Sequence, residues 1–319
     1  MISVAMATYN GEKYLREQLD SILNQTYSDF ELVVCDDCSK DATVAILQEY
    51  ATKDTRIKIH VNDENLGFKK NFEKAILLCQ GEYIALSDQD DVWTENHLEV
   101  LIDNLDDCYL VCSNAQLIDS DGQLLGGSVK PDSVYIANKG NEQFLQLLHG
   151  NFVQGCTCLF KREIIPFLFP IPSEFVTHDY WFGLVAAVKG GVRYTSEKLV
   201  NYRVHQNNST SPKKTTRWTR IVDFFMESPN YEEKVTLLKK LPRIGLSGEQ
   251  KIIQSQTLNF FYDIIYKDNA IRKFFYFYKN YNVISSCKSK KLFLVRLIKL
   301  FFYRPLRSYN HDQGHCSVF

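Results

Sequence analysis

The first 115 residues alternate between two periodicities, and that alternation limits the fold more than any other feature. Apolar runs of strand length are "ISVAMA" (2–7), "FELVVC" (30–35), "RIKIHV" (56–61), "EYIALS" (82–87) and "YLVCSNA" (109–115). Between them lie segments with apolar residues at helical spacing: 12–25, where Leu15, Leu19, Ile22 and Leu23 share a face, then 41–51, 68–79 and 95–105. Ser39 or Asp41 is available to cap the second helix. Strands alternating with such helices build βαβ units, and apolar strands of this kind suit a sheet covered on both faces. The expected class is α/β, with a mainly parallel sheet and helices on both faces. Ligands of such sheets bind beyond the carboxyl ends of the strands. The polar clusters "TYNGE", "DDCSKD", "NDENLG" and "DQDD" stand at those ends.

Residues 116–205 read as the completion of the same domain. A helix is expected near 141–149 and another over "HDYWFGLVAAV" (178–188), with the small-residue stretch "GNFVQGCTCLF" (150–160) between them. "GVRYTSEKLVNYRVH" (191–205) reads as a hairpin. Beyond Ser209 the pattern turns helical and basic, which divides the chain into a domain at 1–210 and a helical extension at 211–319.

Length and charge add partners and compartment. A chain of 319 residues, 45% hydrophobic and 24% charged, allows one large domain with an extension. "MISVAMATYN" has no basic leader before a long apolar core, so no signal peptide is expected. No run of 18 apolar residues occurs, so no membrane-spanning helix is expected. Nine irregularly spaced cysteines suit reduced thiols in a cytoplasmic protein; Cys35 and Cys38 form a lone C-x-x-C without a second metal-spaced pair. The net charge of −1 conceals an asymmetry, because Ile271–Asn310 holds ten Lys or Arg and no acid. Within it, "KSKKLFLVRLIKLFFYRPLR" (288–307) interleaves cations with aliphatic and aromatic residues. It fits a helix at the anionic inner face of the plasma membrane better than a nucleic-acid contact, with a helix packed on the domain as the alternative.

The densest chemistry is "YIALSDQDDVW" (83–93), a strand ending in Asp88, Asp90 and Asp91. In an extended strand end, side chains two apart share a side, so Asp88 and Asp90 converge while Asp91 faces away unless the backbone turns. Converging carboxylates suit Mg²⁺ or Mn²⁺, which complete their shells with substrate phosphates. The plainer reading is a set of acids at the N-terminus of the next helix.

"VAMATYNGEKYLREQLDSILNQTYSDFELVVCDDCSKDAT" and "GEYIALSDQDDVW", followed in order by "NLGFKKNF" between them and by "GCTCLF", "HDYW" and "YRVHQNN", resemble family 2 of the glycosyltransferases over residues 1 to 210. The resemblance implies the GT-A (Rossmann-like) fold and is nearest to bacterial rhamnosyltransferases of capsule, O-antigen or wall polysaccharides. It implies a nucleoside diphosphate sugar donor, with dTDP-rhamnose the first choice, and a glycan or lipid-linked acceptor. By the same resemblance, Thr8, Tyr9, Asn10 and Glu12 hold base and ribose; Asp37, with Asp36 beside it, meets the pyrimidine; Asn65, Gly67 and Lys70 lie near base and diphosphate. Asp90 and Asp88 match the Asp-x-Asp motif, Asp90 for metal and Asp88 for ribose or metal; Asp179 matches the catalytic base and His205 a histidine near the metal. From the residues alone, Asp179 is equally a first-turn helix acid and His205 a hydrogen-bonded surface group. Tyr180 and Trp181 are weak acceptor-stacking candidates that read equally as core. Cys38 stands where the family has glycine, and no Gln-x-x-Arg-Trp follows, unlike processive synthases. UDP-hexose or UDP-N-acetylhexosamine donors, and a non-catalytic nucleotide-sugar-binding subunit, are the rival readings. A dinucleotide oxidoreductase would want Gly-x-Gly-x-x-Gly where "ATYNGEKY" stands.

Overall fold

Side chains alternate across the first strand, β1 (Ile2–Thr8), and so feed two separate cores. Ile2, Val4 and Met6 pack on one face of the sheet, Ala5 on the other. The same alternation recurs in β2 (Phe30–Asp36), where Leu32 and Val34 oppose Val33 and Cys35, and in β4 (Tyr83–Ser87), where Ala85 opposes Ile84 and Leu86. Burial of these strands on both faces explains why their sequences are almost wholly apolar. Each buried Leu, Ile or Phe contributes about 1.5–3 kcal/mol, so both faces help to hold the helices on the sheet.

The structure is a computed structural model that describes residues 1–130, 136–137, 139–172, 177–205, 231–262, 275–276 and 278–280. Its mixed sheet runs β3 (Ile57–Val61), β2, β1, β4, β8 (Cys158–Lys161), β6 (Leu110–Ile118), β9 (Val192–Arg203) and β5 (Val92–Trp93), with β7 (Leu124–Ser128) attached to β6. The first four positions are parallel. β8 then enters antiparallel between β4 and β6. Helices α1 (Leu15–Leu23), α2 (Thr43–Ala51) and α4 (His97–Leu105) cover one face. Helices α3 (Phe68–Leu78), α5 (Asn141–His149) and α7 (His178–Lys189) cover the other, with the short α6 (Ile165–Leu168) beside α7.

Apart from the two-residue strand β5, which the sequence pattern does not show, elements up to α4 match it to within a few residues at each end. Two segments differ. "GCTCLF" is a 3₁₀ turn, Gly155–Thr157, followed by strand β8, because Cys158 and Phe160 face one core and Leu159 the other. The expected hairpin at 191–205 is instead one strand, β9, parallel to β6. The polar "TSEK" that suggests a turn is accommodated as a bulge: β6 advances from Cys112 to Asn114 while β9 advances from Tyr194 to Lys198.

The described part of the 211–319 segment contains helices Tyr231–Lys240 and Gly248–Tyr262. Val235, Leu238, Phe260 and Phe261 join the same core as Phe144 and Leu147 of α5. No described helix is long and apolar enough to cross a membrane. The basic segment 288–307 lies outside the described residues.

β5 and α4 carry one buried histidine. His97 stacks on Trp93 with ring centroids 4.1 Å apart. Burial lowers its pKa to about 3, with the Leu199 backbone pulling the other way. A histidine depressed in the folded state stabilises above its unfolded value and loses that contribution as pH falls toward 3. Acidification from pH 7 to 4.5 is therefore expected to cost the wild type about 2–3 kcal/mol through this residue. His97→Phe, which keeps the stack, should lose correspondingly less stability over that range in urea unfolding. Parallel pH profiles for the two proteins would refute the assignment.

Candidate active site

Strand ends β1, β2 and β3 stop in register, at Thr8, Asp36 and Val61, and their loops interlock there. Asp36 is fully buried and turns inward, accepting bonds from Thr8 Oγ1 at 2.8 Å, Ser39 N at 2.8 Å and Ser39 Oγ at 2.5 Å. Asp37 points the other way. Its Oδ1 accepts from Asn62 Nδ2 at 2.9 Å and Leu66 N at 2.7 Å, and its Oδ2 from Gly67 N at 2.9 Å. One aspartate thus fixes the second loop and its neighbour draws the Asn65–Gly67 loop over the strand ends. Cys38 has φ of +66°, in the left-handed region that glycine adopts without strain. The cysteine keeps the glycine-like conformation of the loop.

The first loop is tied in similarly. Asn10 Oδ1 accepts from Lys40 N at 2.8 Å, and Glu12 Oε2 from Ala42 N at 2.8 Å. Asp41 Oδ1 accepts from Thr43 N at 3.0 Å at the start of α2. Glu12 and Asp41 together satisfy donors that a helix N-terminus leaves open. Tyr9 is joined to the acid loop: Gln89 Nε2 donates to Tyr9 O at 3.1 Å and Tyr9 N donates to Gln89 Oε1 at 2.8 Å. Gly11 makes room for this exchange, since a Cβ there would stand 2.6 Å from Gln89 Cδ.

After β4 the chain bends at Gln89 and Asp90. Asp91 turns inward at this bend, so that ligand atoms of Asp88, Asp91 and Cys156 lie within 4.8 Å of one another. Asp91 is fully buried; its Oδ1 accepts from Arg203 N at 3.0 Å and its Oδ2 has no hydrogen-bond partner among the described residues. Burial, then the Asp90 charge, pushes Asp91 up to about 7. Asp88 is raised well above the usual carboxylate range by burial and by Asp91, Asp90 and Asp179. Such a set calls for positive charge, and its hard oxygen donors fit Mg²⁺ or Mn²⁺. Cys156 does not fit that role, because burial holds its thiol protonated.

Arg203 holds the bend. Its guanidinium Nε donates to Asp90 O at 2.8 Å, one terminal nitrogen reaches Glu17, and the group lies over the Tyr14 ring at 4.6 Å. Two residues on, His205 Nε2 is 2.8 Å from Asp90 Oδ2, and its ring lies 5.0 Å from that of Tyr14.

Asp179 arrives from the opposite side, in the first turn of α7. Its carboxylate does not cap that helix. Instead Oδ1 accepts from Asn151 Nδ2 at 3.2 Å and Oδ2 from Gly155 N at 3.1 Å. The acids share a cleft of about 420 Å³ with Thr8, Tyr9, Asp37, Asn65 and Gly67. Asn10, Glu12, Asp36 and His205 are not among its lining residues and join it only through the bonds above, and Lys70 is exposed on α3. Trp181 corrects an expectation: it is fully buried, with Nε1 donating to Leu168 O at 2.7 Å, so it has no surface on which a sugar can stack. Tyr180 lies partly buried against the core with its hydroxyl on Leu147 O at 2.7 Å. Cys35 is buried and Cys38 half-buried, and the C-x-x-C forms no metal-ligand group among the described residues. Gly155 stands out in the sequence as a residue that lets "GCTCLF" bring backbone close to a ligand, with an ordinary core turn as the alternative, whereas Gln89, Gly11 and Arg203 do not stand out individually. Of these, the glycine in "TYNGE" and the arginine in "YRVH" carry a local signal.

The family model described as Glycosyl transferase family 2 matches residues 3–169. An uncharacterised glycosyltransferase of Rickettsia typhi is 29% identical over 324 residues, covering 97% of this chain and 92% of its own. Two solved structures share the fold. S. aureus TarS 1–349 in complex with UDP-GlcNAc has a TM-score of 0.60 at 17% identity, covering 94% of this chain and 89% of its own. The mannosyltransferase PcManGT of Pyrobaculum calidifontis in complex with GDP-Man and Mn²⁺ has a TM-score of 0.55 at 18% identity, covering 95% and 81%.

Two substitutions separate the buried clamp from its exposed partner. Arg203 has a side chain 1% exposed, whereas that of Glu17 is 59% exposed. Arg203→Ala should destabilise by about 3–5 kcal/mol, because it strips a buried group from several acceptors. Glu17→Ala should cost less than about 1 kcal/mol. Equal losses in chemical unfolding would contradict this. Separately, Gly11→Ala should displace the Gln89 amide, break its bonds to the Tyr9 backbone and cost about 1–3 kcal/mol in chemical unfolding.

Proposed function

Because the chain belongs to glycosyl transferase family 2 and is a glycosyltransferase, we propose that it inverts the anomeric centre in moving one sugar from a nucleoside diphosphate donor to a glycan or lipid-linked acceptor. The observation that carries this reading is the meeting of Asp88 and Asp90, from the end of β4, with Asp179, from the first turn of α7, around one cleft. Diphosphate departure needs charge neutralised on one side of the sugar, and the incoming hydroxyl must lose a proton on the other.

Asp179 is the general base. Asn151 and the Gly155 amide hold both its oxygens, so an acceptor hydroxyl meets a carboxylate in a fixed orientation. Asp88 and Asp90, with Asp91 adding its charge beside Asp88 and His205 orienting Asp90, are the residues that would hold Mg²⁺ or Mn²⁺. A bound divalent cation supplies charge neutralisation for the departing diphosphate. Thr8, Tyr9, Asn65 and Gly67 border the nucleotide, with Asp37 anchoring their loops. Asn10, Glu12 and Asp36 support these loops from behind, and Lys70 stands by for the diphosphate.

The donor we favour is dTDP-rhamnose, on the motif resemblance. UDP-N-acetylhexosamine is the second reading, favoured by the likeness to TarS, whose structure contains UDP-GlcNAc. Residues 1–210 would form the transferase domain, and the basic segment beyond would dock it at the inner face of the plasma membrane, near a lipid-linked acceptor.

Calorimetric titration with dTDP and UDP, with and without Mn²⁺, tests the donor side. Metal-dependent binding is expected, lost in Asp90→Ala; a folded protein that binds neither nucleotide would sink the proposal. Asp179→Asn should lower turnover about 10²–10⁴-fold while nucleotide affinity stays within about twofold. Undiminished turnover would remove Asp179 from the chemistry. Nucleotide binding by the wild type without any transfer would favour the non-catalytic subunit.

A further inference from the structure

His178 is the residue beside Asp179 for which neither the fold nor the mechanism above has a use. It lines the cleft, yet it is only 7% exposed, and neither ring nitrogen has a hydrogen-bond partner among the described residues. Its surroundings are aromatic: Phe72 at 4.5 Å between ring centroids, Phe182 at 5.5 Å and Phe68 at 6.3 Å. A phenylalanine would fill that nest without leaving two polar atoms dry, and buried polar atoms are ordinarily paired. The backbone at Gly155 packs close against one nitrogen. A Cβ on Gly155 would stand 3.1 Å from His178 Nε2, so any side chain there would press on the ring.

We infer that His178 is a sugar-recognition residue, whose imidazole hydrogen-bonds a hydroxyl of the hexose on the nucleotide donor. The inference rests on the glycosyltransferase reading and adds the recognition of the sugar itself. A neutral imidazole presents one donor and one acceptor, and a hydroxyl is both in turn, so the two are matched. Burial keeps the ring neutral by lowering its affinity for protons against the pull of Asp179. The donor side is favoured over the acceptor side by position. Phe68 and Phe72 belong to α3, which continues from the Asn65–Gly67 loop held by Asp37, and so His178 faces the nucleotide half of the cleft. The same aromatic walls offer an apolar surface to the carbon skeleton of the ring.

The test compares sugar-bearing and sugar-free nucleotides on the full chain. UDP, UDP-glucose, UDP-GlcNAc, dTDP and dTDP-rhamnose are titrated in Mn²⁺ into wild type, His178→Phe and His178→Gln. The expected result is that the best sugar nucleotide loses affinity about 10-fold to 100-fold in His178→Phe, while its parent nucleotide binds as in wild type. His178→Gln, which keeps a donor and an acceptor, should recover part of the loss. A purely structural role predicts the reverse order, because phenylalanine suits the nest better than glutamine. Equal weakening of nucleotide and sugar nucleotide, or no change in either, overturns the inference while leaving the transferase reading intact. Wild type that binds no nucleotide overturns both. Should His178→Phe fail to fold, wild type is titrated with monodeoxy forms of the best sugar nucleotide. One missing hydroxyl should then cause the same loss, and uniform affinity across the series overturns the inference.

Discussion

A single buried guanidinium organises the acid loop. Arg203 ends β9 with its side chain 1% exposed, bonded to the Asp90 carbonyl and stacked over Tyr14, while its amide donates to Asp91. Three aspartates within four residues repel one another, and a flexible loop would relieve that by splaying them into water. The arginine prevents this, because its fork of donors fastens backbone as well as charge. β9 can deliver it only because the strand absorbs extra residues in a bulge and still pairs with β6 through Arg203. An irregularity some ten residues upstream therefore sets where Asp90 stands.

The paired aspartates of "DDCS" divide one task between them. Consecutive residues leaving a strand point to opposite sides, so Asp36 enters the protein and Asp37 faces the cleft. Asp36 binds Thr8 and Ser39 and so fixes the loops from beneath, whereas Asp37 gathers Asn62, Leu66 and Gly67 from the side. A charge of this kind tolerates burial because several donors converge on it.

How far the sequence speaks depends on the range of the interaction. Elements from β1 to α4, the two-residue β5 excepted, were legible because each is one uninterrupted period, read from local spacing. β9 was not, because its polar "TSEK" looks like a turn, and only the long partner strand β6 makes a bulge the better solution. Asp88, Asp90 and Asp179 were legible as chemistry. Their meeting was not, since 91 residues separate Asp88 from Asp179 in the chain and only the fold closes that distance. Asp91 faces away from Asp88 in the sequence reading unless the backbone turns, and the bend at Gln89 and Asp90 supplies that turn. Trp181 shows the converse: an aromatic beside a catalytic candidate serves the core because helical periodicity turns it away.

The reciprocal bonds between Gln89 and the Tyr9 backbone bear on how such a chain can change over time. They join a loop near the amino terminus to one eighty residues later, across the mouth of the cleft. Gly11 belongs to the same unit, since only an absent side chain leaves the amide its place. Exchange of the first loop by recombination would thus carry half of a matched set. A lineage that gained a side chain at position 11 would have to change position 89 in step, whereas position 9, bonded through its main chain, imposes no such coupling.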